Sequence, residues 1–369
     1  LFRSGERPGS ERPEDKEEPT GIIGEIKAWV EATPYEKFEQ AIGERIIGQP
    51  ELANVLASVY NYLSARANGE KTKFDVLLAA PSGCGKTETF RALRDYFKHR
   101  IPSLPLSQSD MTQITTEGFI GKNTHAIISA LLDNEETNGV GIIWLDEFDK
   151  KLLPRYTSGG DNVNAAVQAQ VLTLIEGRGA GEGKKTVDTE NTLFIACGSF
   201  DECRKKKGEI IKRVGFGSEN EGGAEHYTPI TKQDMIELGA SYELIGRFPL
   251  LVNFQKLSEQ AIFQIIDKTI WELRKKFHIF IQVDLEFREK IFEQANSEYG
   301  CRQITSMLTE AVMPAFIEAL KIGHLERHEI WVDKNGNAKL FPDRFMPQNK
   351  PTGQEEKTMS AQEAELPSC

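Results

Sequence analysis

Three short runs of apolar residues stand out in the first part of the chain, at residues 74–79, 141–146 and 191–198. Each run is apolar almost throughout and lacks the alternation of a half-exposed strand, so it predicts a strand buried on both faces of a parallel sheet. Apolar residues at helical spacing predict helices over residues 50–69 and 86–99. The pattern therefore predicts an α/β domain whose parallel sheet is covered by helices on both faces.

The pattern changes after the segment GRFPLLVNF, which ends at Phe254. From about residue 257 the periodicity is helical, and Ser258 stands where the N-cap of a helix is expected. A further helix is predicted over residues 304–320. We therefore expect a smaller, mostly helical domain to follow the larger α/β domain.

The two ends of the chain are rich in Pro, Gly and charged residues and contain few apolar ones, which is typical of disordered segments. The length of 369 residues fits about two domains. The predicted organisation is a linker at 1–20, a large domain at 21–252, a small domain at 253–346 and a tail at 347–369.

Composition narrows the function classes. A net charge of −11 argues against a protein that coats nucleic acid. The five cysteines form no C-x-x-C pair, so neither a zinc module nor a disulfide framework is indicated, and a reducing cytoplasm fits best. The apolar runs are far shorter than the roughly 20 residues of a membrane span, and no signal peptide opens the chain. We expect a cytoplasmic protein with no membrane or nucleic-acid partner.

The segment APSGCGKT follows the first predicted strand and resembles the phosphate-binding pattern G-x-x-x-x-G-K-[ST], with Ala80 in place of the first glycine. Gly83 and Gly85 supply a tight turn whose N–H groups converge on an anion, ahead of a helix N-terminus. Lys86 would reach the outer phosphates, and the hydroxyl of Thr87 would bind Mg²⁺. The predicted nucleotide contacts in this segment are Pro81, Ser82, Gly83, Cys84, Gly85, Lys86, Thr87 and Glu88. A glycine-rich turn that merely joins a strand to a helix is the alternative.

Two carboxylates, Asp146 and Glu147, follow the buried run GIIWLD at the carboxyl end of a predicted strand, where open α/β sheets build their ligand sites. Asp146 can hold Mg²⁺ through water, and Glu147 can orient and deprotonate an attacking water. A solvated strand end with ordinary acidic residues is the alternative. The phosphate loop and the acidic pair together form a Walker A and Walker B combination, which predicts an ATPase that uses ATP and Mg²⁺.

Eight separated segments share the order of segments in the ClpX family of AAA+ ring unfoldases, which feed proteins to a barrel peptidase. They are RIIGQPELANVLASVYNYLSARANG, TEGFIGK, LDEFDK, VQAQVLTLIEG, TLFIACGSF, VGFGSE, ELIGRFPLLVNF and YGCRQITSMLTEAV. The chain resembles this family over residues 46–320. The resemblance implies an AAA+ large domain, a parallel sheet between helices, followed by a small helical AAA+ lid domain.

The resemblance also implies a homo-hexamer in which ATP lies between neighbouring subunits. Arg247 matches the arginine finger that acts on the neighbour's nucleotide and stabilises transition-state charge. Arg302 matches the sensor 2 arginine of the small domain. Ile46 and Ile47 match the apolar residues that pack on adenine. For both arginines an ordinary surface position is the alternative.

Two loops match the parts of the family that handle protein chains. Gly118, Phe119, Ile120 and Gly121 match the pore loop that grips an extended polypeptide, with phenylalanine where tyrosine is typical. A buried turn with its phenylalanine in the core is the alternative. Arg155 and Tyr156 match a second pore loop.

Val214, Gly215 and Phe216 match the family's tripeptide that inserts into apolar clefts of the peptidase, and the resemblance therefore implies that they dock on a ClpP-like peptidase. Exposed apolar residues on a charged, glycine-rich loop usually mark partner sites, which fits this expectation. A buried loop anchor would have the same sequence.

The chain departs from the family in two informative ways. Nothing before Cys84 can form the four-cysteine zinc module that recruits substrates in this family. The family also has a polar residue, called sensor 1, in the segment that matches ACGSF. Cys197 and Ser199 are both candidates for this position.

The predicted function is an ATP-dependent unfoldase and translocase of the ClpX type, which delivers unfolded or tagged proteins to a ClpP-like peptidase and is not itself a protease. A peptidase-independent remodelling chaperone, a DNA-handling AAA+ loader and a nucleotide-gated scaffold without turnover are the alternatives.

Overall fold

The structure is a computed structural model, and it describes residues 20–115, 124–177, 180–182, 185–205, 229–296 and 300–342. The predicted pore loop and peptidase-docking loop lie outside these residues. The chain divides into two compact units, the first ending at Ala261 and the second beginning at Ile262. The domain boundaries predicted at residues 20, 252 and 346 remain predictions.

The secondary structure alternates between helices and strands through the first unit, as the apolar pattern predicts. The α-helices are labelled α1 (Gly21–Ala32), α2 (Tyr35–Gly43), α3 (Leu52–Ala67), α4 (Lys86–Phe97), α5 (Ser129–Leu132), α6 (Val163–Ile175), α7 (Lys232–Leu238), α8 (Tyr242–Gly246), α9 (Glu259–Phe277), α10 (Leu285–Ala295) and α11 (Arg302–Ile322). The strands are β1 (Val76–Ala79), β2 (Leu106–Asp110), β3 (Gly141–Asp146), β4 (Ala180–Glu182), β5 (Lys185–Val187), β6 (Thr192–Gly198), β7 (Leu250–Asn253), β8 (Phe280–Val283), β9 (His328–Val332) and β10 (Ala338–Pro342).

A five-stranded parallel sheet in the order β2-β3-β6-β1-β7 forms the centre of the first unit. Strand β1 shows why its sequence is apolar throughout. Val76 and Leu78 pack into an apolar layer with α1 to α4, whereas Leu77 and Ala79 pack into a second layer on the opposite face with α5 to α8. Both faces are buried, as predicted for a parallel sheet between helices.

The predicted strands and helices are confirmed to within a few residues. Strand β3 covers the whole run from Gly141 to Asp146. Strand β1 begins at Val76 rather than at residue 74, because Phe74 is 45% exposed and Asp75 is a buried polar residue. Ser258 caps α9, since its hydroxyl oxygen accepts a hydrogen bond from the Ala261 N–H at 3.2 Å.

The second unit contains α10, α11 and most of α9, together with a three-stranded sheet in the order β10-β9-β8. Strands β8 and β9 are parallel, and β9 and β10 are antiparallel. Helices α9 and α11 were predicted individually, whereas α10 and this small sheet were not. Its strands have only four or five residues, and β8 alternates exposed and buried positions, so its pattern is too short to separate from a helical one.

No helix among the described residues is long and apolar enough to cross a membrane.

Candidate functional site

The phosphate loop begins where β1 ends. The Ala80 N–H donates to the carbonyl of Gly198 at 3.0 Å, which extends the pairing of β1 with β6 by one residue. Ala80 is buried and is not among the residues with positive φ. A methyl group is therefore tolerated at the position where the pattern usually has its first glycine.

The turn itself depends on two glycines in left-handed conformations, Gly83 with φ +75° and Gly85 with φ +100°. Gly85 is the N-cap of α4 and provides no side-chain cap, so the first N–H groups of this 12-residue helix have no partner from a capping side chain. Uncapped N–H groups at the positive end of a helix, after a glycine-rich turn, are the arrangement that binds phosphate. Thr87, one residue into the helix, is half-buried.

Lys86 is buried, and its ammonium is held at the base of the loop. The Nζ atom donates to the carbonyls of Ala80 at 2.7 Å and Pro81 at 3.1 Å. A lysine ammonium has three N–H donors, so two backbone carbonyls leave one donor for a third acceptor. The loop thus carries a fixed positive charge next to the helix N-terminus.

A segment before α3 packs against the loop. Ile46 is buried, and its Cγ2 atom would lie 3.6 Å from a Cβ placed on Gly85, whereas Ile47 is half-buried. The side-chain amide of Gln49 donates to the carbonyls of Cys84 at 3.2 Å and Gln255 at 2.8 Å. The predicted adenine-packing residues therefore belong to a segment that is tied to the phosphate loop.

Glu88 has a structural partner that the sequence analysis did not foresee. Its carboxylate accepts a hydrogen bond from Arg45 at 2.7 Å, and Arg45 also donates to Asp95 at 3.0 Å. Arg45 thus joins the segment before α3 to two turns of α4. Glu88, which was predicted to bind nucleotide, thus has its carboxylate in an ion pair with Arg45.

Asp146 ends β3, one strand away from β1 across β6. Its Oδ1 accepts hydrogen bonds from the Glu147 N–H at 3.0 Å and from the Cys197 thiol at 3.2 Å. Its Oδ2 accepts from the side-chain amide of Gln108, on β2, at 2.7 Å. The carboxylate is therefore held from both neighbouring strands and from its own backbone.

Glu147 adopts a left-handed conformation with φ +54°, which is uncommon for a residue with a side chain. Such positions are found where a turn must aim a side chain, and here the residue also caps the 3₁₀ helix Phe148–Lys151. Burial raises the pKa of Glu147 above its ordinary value, and the negative charge of Asp149 adds to the rise while Lys86 opposes it. A carboxylate with a raised pKa is a stronger base toward water than an ordinary glutamate.

Asp149 is a residue of the site that the sequence analysis passed over. It is buried, and its Oδ2 accepts from the Phe200 N–H at 3.1 Å and from the Ser199 hydroxyl at 3.3 Å. A Cβ on Gly198 would lie 2.3 Å from its Oδ1, so only glycine fits there. Asp149 therefore ties the segment after β3 to the end of β6, and its position two residues beyond Glu147 in LDEFDK is the signal that could have indicated it.

The two sensor 1 candidates have different surroundings. Cys197 contacts Asp146, whereas Ser199 contacts Asp149. Burial and the nearby Asp146 charge raise the pKa of the Cys197 thiol well above its ordinary value. The thiol is therefore a neutral donor to the Asp146 carboxylate.

Arg247 is the C-cap of α8, and its side chain is 53% exposed while forming an ion pair with Glu176, the C-cap of α6. Arg302 is the first residue of α11 in the second unit and is exposed.

The matched second pore segment is a turn. Tyr156 bridges to Asn162 and is 68% exposed, and the Val163 N–H closes the turn on the carbonyl of Arg155 at 2.9 Å. The residues matched to the first pore loop (Gly118, Phe119, Ile120, Gly121) and to the docking tripeptide (Val214, Gly215, Phe216) lie outside the described residues.

The residues present fit a nucleotide with Mg²⁺. Uncapped amides and a held lysine suit phosphate, and the Thr87 hydroxyl and Asp146 carboxylate supply the hard oxygen ligands that Mg²⁺ prefers. Over the described ranges, no cluster of three His, Cys, Asp or Glu side chains could hold a metal on its own.

Comparison with known proteins finds similarity to AAA domains and to ClpX subunits. Residues 71–251 match the family described as "AAA domain (Cdc48 subfamily)". The chain is 27% identical over 314 residues to "ATP-dependent Clp protease ATP-binding subunit ClpX 2" of Wolinella succinogenes, covering 77% of each chain. It is 29% identical over 353 residues to "ATP-dependent Clp protease ATP-binding subunit ClpX" of Treponema denticola, covering 84% of this chain and 83% of the relative.

The matched range includes the phosphate loop, the acidic pair, four strands of the parallel sheet and the first two residues of β7. The similarity to these relatives extends over 77% to 84% of the chain. The chain is similar to ClpX ATP-binding subunits over most of its length and contains an AAA domain, which supports an ATPase that is not itself a protease.

Proposed function

We propose that this protein is an ATP-dependent unfoldase and translocase that works as a homo-hexamer and delivers unfolded or tagged proteins to a ClpP-like peptidase. One observation carries the proposal. The phosphate loop after β1 and the acidic pair after β3 share one edge of a parallel sheet, in a chain similar to ATP-binding subunits of Clp proteases over 77% to 84% of its length.

We assign a separate role in ATP hydrolysis to each residue of this edge. The amides of the loop, with Lys86, hold the phosphates, while Thr87 and Asp146 hold Mg²⁺, the latter through water. Mg²⁺, when bound, neutralises charge on the phosphate oxygens. Glu147 orients the attacking water and takes its proton, and its left-handed backbone and raised pKa suit that role.

Two arginines are proposed to connect the nucleotide site to a neighbouring subunit and to the second unit of the chain. The Arg247 side chain is 53% exposed although it pairs with Glu176, and its proposed role is to act on the nucleotide of a neighbouring subunit, where an arginine stabilises charge that grows in the transition state. Arg302 belongs to the second unit, and we propose that it reports the nucleotide state to that unit.

The proposed handling of proteins rests on Phe119 and Ile120, between Gly118 and Gly121, as the gripping loop. Val214, Gly215 and Phe216 are proposed to dock on the peptidase. An extended chain offers no fixed sequence, so an aromatic side chain that makes apolar contacts with any sequence suits the gripping role.

The experiment combines the purified chain, ATP, Mg²⁺, a tagged fluorescent protein and a ClpP-type barrel, with fluorescence and fragment formation measured together. Loss of fluorescence followed by fragments supports delivery to a peptidase. The Glu147→Gln variant is the control for turnover, and Phe216→Ala should abolish fragments while leaving ATPase activity unchanged.

Other outcomes identify the alternatives. Loss of fluorescence without the barrel and without fragments identifies a remodelling chaperone. ATPase activity stimulated by DNA, with salt-dependent DNA binding, identifies a DNA-handling loader. Tight nucleotide binding without turnover identifies a scaffold.

A further inference from the structure

We propose that Gln108 is a positioning residue that, together with Cys197, orients the carboxylate of Asp146 so that its Oδ2 atom meets the Mg²⁺-bound water. This inference rests on the proposed nucleotide site. Neither residue belongs to the phosphate loop or the acidic pair, and the motif analysis did not single out Gln108.

The hydrogen bonds to Asp146 determine which oxygen is available. A carboxylate offers about four lone-pair sites, two on each oxygen. Among the described residues, Oδ1 accepts from the Glu147 N–H at 3.0 Å and from the Cys197 thiol at 3.2 Å. Oδ2 accepts from Gln108 alone, at 2.7 Å. The remaining site is therefore on Oδ2.

The direction of the Gln108 hydrogen bond follows from chemistry. An ionised carboxylate can only accept, so the side chain of Gln108 must present its NH₂ group rather than its oxygen. The bond is also assisted by the charge of the carboxylate, which makes it stronger than a bond between neutral groups. Removing the amide therefore frees Oδ2 to rotate.

The sheet explains why Gln108 can reach Asp146. Strands β2 and β3 are parallel, with Gln108 beside Trp144 and Asp110 beside Asp146. Gln108 is thus a diagonal neighbour of Asp146 on the same face, two residues before the last pair of these strands. Its side chain is long enough to cross that diagonal.

A matched control lies on the same segment. The side-chain amide of Gln113 donates to Asp110 at 2.9 Å, so it forms an exposed amide–carboxylate pair of the same kind without touching Asp146. Gln113→Leu removes the same chemistry as Gln108→Leu. Any difference in Mg²⁺-dependent nucleotide binding between the two variants is therefore due to the loss of the hydrogen bond to Asp146.

The first measurement is the Mg²⁺ concentration that gives half-maximal binding of a fluorescent ADP analogue. Partners of a metal ligand typically contribute 10- to 100-fold to metal affinity. We expect Gln108→Leu to raise this concentration about 10-fold. Gln108→Glu, which places a like charge against Asp146, should raise it more, toward about 100-fold. Gln113→Leu should leave it unchanged.

Cys197 provides a second pair of variants. Cys197→Ser keeps a donor, and Cys197→Val removes the donor while keeping an apolar side chain of similar size at a buried position. We expect the serine variant to retain Mg²⁺ affinity and the valine variant to lose about 10-fold. Thermal melting of each variant without nucleotide separates this effect from loss of stability.

An infrared measurement tests the geometry without nucleotide. The S–H stretching band of Cys197 is obtained as the difference between wild type and Cys197→Val. In Asp146→Asn this band should move to higher frequency, because a neutral amide accepts more weakly than a carboxylate. An unchanged band would overturn the proposed contact.

The outcomes separate this inference from the proposed function. If wild type and Gln113→Leu bind the nucleotide with Mg²⁺ and Gln108→Leu binds equally well, the positioning role is wrong and the nucleotide site stands. If wild type binds no nucleotide, the proposed nucleotide site and the positioning role of Gln108 are both wrong.

Discussion

The amino-terminal and carboxyl-terminal ends of the strands form two opposite edges of the central sheet, and the polar groups at these two edges differ in how completely they are hydrogen-bonded. At the amino-terminal edge, where β1, β3 and β6 begin, buried polar side chains are paired with backbone groups. At the carboxyl-terminal edge, where the same strands end, several polar groups keep unused capacity or sit on strained backbone. The first edge stabilises the fold, and the second is available for chemistry.

Tyr62 illustrates the amino-terminal edge. Its hydroxyl accepts from the Gly141 N–H at 2.9 Å and donates to the carbonyl of Asn191 at 2.6 Å, which joins α3 to the starts of β3 and β6. Burial raises the pKa of Tyr62 to about 12. Nearby, the buried Asp75 accepts from the Phe194 N–H at 2.8 Å and pairs with Lys73 at 3.2 Å. Every one of these groups has a defined partner.

The polar groups at the carboxyl-terminal edge are less completely hydrogen-bonded. Glu147 is held with positive φ, and the Oδ1 atom of the buried Asp149 has no hydrogen-bond partner among the described residues. Unpaired buried oxygens and left-handed non-glycine residues each cost free energy, and such costs concentrate at functional sites. The difference between the edges predicts that substitutions at one change rates and substitutions at the other change stability.

The largest expected effect is on rate. Glu147→Gln removes the proposed base, so we expect the ATPase kcat to fall by about 10²- to 10⁴-fold with nucleotide binding retained. Steady-state phosphate release measures the rate, and fluorescence of a bound nucleotide analogue measures binding. Glu190→Gln at the amino-terminal edge is the matched control and should leave kcat unchanged. Equal kcat values for both variants would remove Glu147 from the mechanism.

The next effect is on stability. Burial raises the pKa of Asp75 and lowers the pKa of Lys73, so each charge depends on the other. Asp75→Ala leaves the lysine buried without its partner, and we expect the free energy of unfolding to fall by about 3–5 kcal/mol. Urea denaturation measures the loss. The double variant Asp75→Ala and Lys73→Met should recover part of it, and a double variant less stable than Asp75→Ala would contradict the pairing.

A smaller effect is expected at Tyr62. Tyr62→Phe keeps the ring and removes the hydroxyl between Gly141 and Asn191, which should cost about 1–3 kcal/mol of unfolding free energy. The ATPase kcat of the folded variant should match wild type. A large drop in kcat without loss of stability would show that the two edges are not separate in function.

The smallest effect is expected at Thr192. Its hydroxyl donates to the carbonyl of Gly139 at 2.7 Å, and Thr192→Val replaces that single bond with a methyl group. We expect a loss of about 1 kcal/mol by urea denaturation, with kcat unchanged. An unchanged free energy of unfolding would mean that the carbonyl finds another donor.

The fold was largely predictable because its signals are local. Apolar runs buried on both faces, glycines at a turn and the serine N-cap at Ser258 each act within a few residues, and the strands and helices they predict are confirmed. The three-stranded sheet of the second unit was missed because its short strands pair residues far apart in sequence, such as Ile281 with Ile330.

The site was predictable where chemistry and motif coincide, as at Lys86, Thr87, Asp146 and Glu147, whose roles remain predictions. Gln108 and Asp149 could not be assigned in this way. Their partners lie 38 and about 50 residues away along the chain, and only strand pairing brings them together.

The sequence by itself determined the class of fold, the phosphate loop, the acidic pair and the resemblance to ClpX, because each is written in residue types at short spacing. Only the tertiary structure decided which groups hold Asp146, why residue 198 must be glycine and which sensor candidate reaches the carboxylate. Those facts depend on the register of parallel strands, and register is set by the packing of the whole sheet.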